Sequence, residues 1–123
     1  MKLAYITGAT KGIGRATAVT FANAGWDLVL LARDLEILEI LRDELSDSGS
    51  TINLVKCNLS NSDEIDNSIN ESIKKYGCPS VLINNAGVAF NGSLVEMPLT
   101  KWQEIIQINL TSVFQICSLI VPK

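Results

Sequence analysis

Leu3-Ala4-Tyr5-Ile6-Thr7-Gly8-Ala9-Thr10-Lys11-Gly12-Ile13-Gly14 decides the reading of this chain. Leu3 to Ile6 is an apolar run of the kind buried on both faces of a parallel sheet. From Ile13 to Ala24 apolar and small residues recur at helical spacing, and Gly25 closes the helix. Three glycines therefore lie between a strand and a helix. In that place they permit a tight turn, let the backbone approach a diphosphate closely, and leave it at the positive end of the helix beside free N–H groups.

The alternation continues downstream. Leu28 to Ala32 is a second apolar run, and Asp34 caps a helix whose Leu35, Leu38, Leu41 and Leu45 form one stripe, ending at the polar loop Ser46 to Ser50. Ile52 to Cys57 reads as a third strand. Asn61 with Glu64 offers a capping box for a helix to Tyr76, closed by Gly77. Ser80 to Ile83 is the fourth strand, and Thr100 with Gln103 suggests a capping box for a helix from Lys101 to Val121, stopped by Pro122. Right-handed crossovers then require an α/β fold, a Rossmann-type doubly wound parallel sheet of four strands in the order 3-2-1-4.

Composition bounds the function. Apolar residues make up 47% of the 123 and charged residues 19%, which suits one packed domain over residues 1–123. A net charge of -3 provides no basic field for nucleic acid. Three cysteines without a CxxC, and no histidine, argue against a metal site or a disulfide framework and point to a reduced, cytoplasmic protein. The N-terminus runs directly into the glycine motif, which leaves no room for a signal peptide, and Ile105 to Val121 is too often interrupted by polar residues to cross a membrane.

A second motif, Asn84-Asn85-Ala86-Gly87, follows the fourth strand. In the order 3-2-1-4 it stands beside the glycine loop, where the sheet reverses direction and such folds bind ligands. The form TGxxxGxG, with NNAG some seventy residues later and an asparagine in the next helix, resembles the classical branch of the short-chain dehydrogenase/reductase family over the whole chain.

The resemblance implies an oxidoreductase that moves hydride between a nicotinamide cofactor and a carbonyl or alcohol. It implies a cofactor-binding set of Thr7, Gly8, Thr10, Lys11, Gly12, Ile13, Gly14, Arg33, Asn58, Leu59, Asn85, Ala86 and Gly87. Gly8, Gly12 and Gly14 would hold the pyrophosphate, and Asn85 to Gly87 would pack on the adenosine-ribose side. Asn109 would belong to the catalytic set, kinking its helix and holding a relay water; its helix would also pack on a partner subunit in a homo-oligomer. Asn58 stands where the family usually has an aspartate near the adenine.

Cofactor choice turns on the second strand. An NAD site wants a carboxylate at its end, a place taken here by Ala32, with Arg33 next and Lys11 in the glycine loop. Two cations suit a 2′-phosphate carrying about -1.5 to -2 charges, so NADP(H) is the expected cofactor.

The family's Tyr-x-x-x-Lys pair does not occur, since the tyrosines are Tyr5 and Tyr76. The sequence therefore reads as the cofactor half of an enzyme, incomplete relative to the full fold and ending before the catalytic serine, tyrosine and lysine. The alternative is a short module that binds a dinucleotide without reacting it. The last helix is apolar around most of its circumference, so it expects further neighbours.

Overall fold

A computed structural model describes residues 1–122. The four strands, β1 (Leu3–Thr7), β2 (Asp27–Ala32), β3 (Ile52–Lys56) and β4 (Val81–Ile83), form one sheet in the order β3-β2-β1-β4. All pairings are parallel, with Thr7 opposite Leu31, Ala32 opposite Lys56 and Ile6 opposite Ile83.

Period-two alternation divides the apolar strand residues between two cores. Leu3, Tyr5, Val29 and Leu31 point to one side and pack with Ile65, Ile69, Ile116 and Ile120. Ala4, Ile6, Leu28 and Leu30 point to the other and meet Ala18, Ala22, Leu38 and Leu41. The helices are thus α1 (Gly12–Asn23) and α2 (Leu35–Glu44) on one face, with α3 (Ser62–Tyr76) and α5 (Ser112–Ile120) on the other. Small residues on the inner side of α1 let it lie close to the strands.

The helix starts follow local chemistry. Asp34 accepts from the Ile37 N–H at 3.2 Å and begins α2. Asn61 accepts from the Glu64 N–H at 3.0 Å and begins α3. The return half of that capping box lands elsewhere: Glu64 accepts from the Asn58 N–H at 2.9 Å, because the Asn61 N–H already donates to the Asn58 carbonyl at 3.1 Å.

Two expectations for the last helix need correction. It starts at Leu99, slightly before the expected start at about Lys101, as α4 (Leu99–Ile106), and the Thr100–Gln103 capping box does not form. Pro98 occupies the cap position in extended conformation, and its carbonyl accepts from the N–H groups of both Lys101 and Trp102. Proline fixes its own φ and suits a helix entrance, so Thr100 falls inside the first turn. The helix is also not continuous, since a π turn over Gln107–Thr111 separates α4 from α5. Around it Ile108, Ser112, Ile116 and Ile120 are buried, while Trp102, Leu110 and Phe114 remain exposed, Phe114 by 72%.

Candidate functional site

The C-terminal ends of β1, β2, β3 and β4 surround a cavity of about 490 Å³. Its wall is made by Gly8, Thr10, Lys11, Gly12 and Ile13 from the loop after β1, and by Leu31 to Asp34 from the end of β2. Cys57 and Leu59 come from the turn after β3, and Asn85 to Val88 from the loop after β4. Ile37 and Ile108 complete it.

The two sequence motifs are tied to each other directly. Thr7 Oγ1 accepts from the backbone N–H groups of Asn85 at 3.1 Å and Ala86 at 3.0 Å, and Asn85 Nδ2 donates to the Gly8 carbonyl at 3.0 Å. Packing at this junction is too tight for side chains on the glycines. A methyl group on Gly8 would come within 2.8 Å of Ala86 Cα, and one on Gly14 would overlap the Gly8 carbonyl and the Asn85 amide. Thr7 and Gly14 therefore stand behind the cavity wall and not in it; they fix the loop that a ligand would touch. Asn58 also lies off the wall, because its side chain turns back into its own loop, where Oδ1 accepts from the N–H and the hydroxyl of Ser60.

The entrance to α1 is open toward this cavity. Lys11 holds the cap position in extended conformation with no side-chain cap, and the first turn carries no acid. Orphan N–H groups at a helix start carry positive partial charge and bind anions. Among the described residues neither Lys11 nor Arg33 pairs with a carboxylate. Both line the cavity, so two cations and a helix start face the same space, with Asp34, bonded to the Ile37 N–H, the one carboxylate in its wall.

Asn109 lies in the π turn. Its Oδ1 accepts from the Val88 N–H and its Nδ2 donates to the Val88 carbonyl, each at 2.8 Å. These two bonds fasten the loop after β4 to the last helix and use two of the four that the exposed amide can make. A π turn opens the regular ladder of backbone bonds, and such turns recur at functional sites.

No described tyrosine is prepared for proton transfer. Tyr5 lies inside β1 with its hydroxyl donating to the Gly77 carbonyl at 2.7 Å, and burial pushes its pKa up to about 12. A general acid or base near neutral pH needs the opposite shift. Tyr76 ends α3, at the end of the sheet away from the cavity. Burial likewise raises the Cys57 thiol, which keeps it a neutral part of the wall. Among the described residues no cluster of His, Cys, Asp or Glu could hold a metal ion, and no helix is long and apolar enough to cross a membrane.

The wall residues that the sequence did not point to are Leu31, Ile37, Cys57, Val88 and Ile108, while Asp34, read from the sequence as the cap of α2 in preference to a ribose carboxylate, caps α2 and lies in the wall as well. Apolar residues at strand ends and on helix faces give the same signal as core.

A sheet in this order, with a glycine loop bonded to NNAG across the point of reversal, matches a known family. The family model of short chain dehydrogenases covers residues 2–123. The chain belongs to the short-chain dehydrogenase family. It is 36% identical over 123 residues to a 3-oxoacyl-[acyl-carrier-protein] reductase of Synechocystis, covering 99% of this chain and 49% of that protein. The corresponding reductase of Thermotoga maritima is 33% identical, covering 98% and 49%. Among solved structures, an alcohol dehydrogenase from Thermococcus sibiricus complexed with 5-hydroxy-NADP superposes with a TM-score of 0.93 at 29% identity, covering 99% of this chain and 52% of that one. A metagenomic short-chain oxidoreductase in complex with NADP gives 0.93 at 34%, covering 98% and 55%. The chain thus spans about half the length of the relatives it matches.

Proposed function

We propose that this short-chain dehydrogenase chain is the NADP(H)-binding portion of an oxidoreductase that transfers hydride between nicotinamide and a carbonyl or alcohol. The observation that carries the reading is the grouping of Lys11, Arg33 and the uncapped start of α1 around one cavity, with Ala32 where an NAD site would place a carboxylate. Relatives seen with NADP or 5-hydroxy-NADP support it.

The residues present fit the group. Backbone N–H groups at Gly12 and Ile13 would receive the diphosphate, while Lys11 and Arg33 would neutralise the 2′-phosphate. Asn85 to Gly87, tied to the glycine loop through Thr7, would pack on the adenosine-ribose side. When bound, the cofactor supplies or accepts the hydride. The chain's own contribution is to bind, orient and hold the loop after β4 in register.

These 123 residues contain no Tyr-x-x-x-Lys, and Tyr5 and Tyr76 lie away from the cavity wall. Positioned proton transfer is typically worth about a hundred- to ten-thousand-fold in rate. The chain by itself is therefore expected to bind NADPH without turning it over. A rise in melting temperature with added NADPH, beside flat NADPH absorbance with a panel of ketones, is the expected result. Turnover that disappears in Asn109→Ala would contradict it, as would a melting temperature indifferent to NADPH. We further place the protein in the cytoplasm, on its unpaired cysteines, and in a homo-oligomer formed through the exposed Leu110 and Phe114 face.

A further inference from the structure

Ser112 follows directly on the π turn that carries Asn109, and with Thr7 and Ser72 it is one of three buried polar residues among those described. Thr7 ties the two loops of the site together. The two serines make the same bond in different surroundings. Each donates its hydroxyl to the carbonyl four residues back at 2.6 Å, Ser72 to Ser68 and Ser112 to Ile108.

What differs is the backbone beneath. Ser72 lies inside α3, an unbroken α-helix in which the carbonyl four residues back also receives a backbone N–H, so its hydroxyl is a second donor. At Ser112 the backbone N–H has moved away. It donates to the Gln107 carbonyl, five residues back, and the hydroxyl takes the place that it leaves at the Ile108 carbonyl. Ile108 is 4% exposed, and a buried carbonyl left without a donor is costly.

A side chain inserted into the ladder of backbone bonds is one of the few physical causes of a helix kink. The Asn109 side chain is not that insertion, since its two bonds reach across to Val88. We infer that Ser112 is a positioning residue: its hydroxyl replaces the backbone bond missing at Ile108, which holds the π turn, and the turn presents Asn109 to Val88 in the cavity wall. The kink that the family resemblance implied at Asn109 thus has its chemical cause three residues further on. A consequence for cofactor binding rests on the dinucleotide reading above, because Val88 and Ile108 line the cavity.

Amide hydrogen exchange, read residue by residue by NMR on the unaltered protein, Ser112→Ala and Ser72→Ala, tests it. Ser112→Ala strips the buried carbonyl of its donor, so the turn should loosen and the Val88 N–H exchange about tenfold faster or more, as for an unsatisfied buried group. Ser72→Ala leaves the Ser68 carbonyl its backbone donor and should leave Val88 unchanged. A hydroxyl that only stabilises the fold would lower the melting temperature in Ser112→Ala while Val88, in an exposed loop that opens locally, kept its original rate. That result would overturn the inference, and so would equal acceleration of Val88 in both variants. In calorimetry Ser112→Ala should bind NADPH about threefold or more weakly, since a loosened wall must be ordered on binding. Unchanged affinity beside faster Val88 exchange would overturn the consequence for the cofactor. Failure of the unaltered protein to bind NADPH would overturn the cofactor reading instead, and exchange at Val88 would still decide the role of Ser112.

Discussion

Two helices start side by side at the C-terminal ends of neighbouring strands, and they are finished differently. α2 is closed by its own carboxylate, with Asp34 bonded to the Ile37 N–H and Glu36 in the first turn. α1 has neither, only Lys11 at the cap position and a glycine at each side of Ile13. Both starts border the same cavity. A capped helix has satisfied its orphan donors internally; an uncapped one with a cation beside it leaves them for an anion from outside. On the function proposed here the diphosphate goes to α1, and Arg33 stands at the threshold of α2.

The largest expected effect comes from closing the α1 start itself. Gly14→Ala would drive a methyl group into the Gly8 carbonyl and the Asn85 amide. Because that contact is backbone against a bonded loop, we expect a loss of about 3 kcal/mol or more in denaturant unfolding, with loss of NADPH binding. Gly14→Ala melting like the unaltered chain would show that the two loops are not locked together. Next in size, Arg33→Ala should weaken NADPH by about 1.5–3 kcal/mol in calorimetry and NADH much less, as for a hydrogen bond to a charged group. Equal losses for both cofactors would remove the 2′-phosphate from this corner.

Gly12 separates backbone conformation from crowding. Its φ is +57°, yet a methyl group there would meet nothing within 4 Å. Gly12→Ala should thus cost only about 1–2 kcal/mol of stability, the penalty of a left-handed backbone for an L-residue. A loss as large as that of Gly14→Ala would mean that the loop cannot adjust at all. Smallest is Asp34→Ala, expected to lower stability by about 1 kcal/mol through loss of the cap. NADPH binding should survive it, and a collapse of binding would mean that Asp34 holds the ligand, not the helix.

Most of this architecture was legible because the signals were local. Leu38, Leu41 and Leu45 fall on one helical stripe and are buried as that stripe requires. Asp34 and Asn61 stand directly before their helices and cap them. Thr100 carried the same kind of signal and misled, since Pro98 two residues earlier already provided the entrance. The π turn left no trace in the periodicity, because one turn of altered pitch does not disturb a 3.6-residue pattern over so short a length, but it lies at Asn109, where the family resemblance implied a kink. At the site, the glycine loop and NNAG were readable from type and spacing. The withdrawal of Asn58 was not, because it depends on Ser60 competing locally for the same oxygen. Cys57 and Ile108 were hidden for another reason, as apolar groups serve a ligand wall and a core equally well.

The most direct test is a pair of calorimetric titrations of the unaltered chain, one with NADPH and one with NADH, at the same moderate salt concentration. Lys11 and Arg33, which face one cavity and form no ion pair among the described residues, should bind NADPH at least about tenfold more tightly, one charge-assisted hydrogen bond being worth that much. Equal affinity for the two cofactors, or tighter binding of NADH, would contradict the assignment of this cavity to a 2′-phosphorylated dinucleotide.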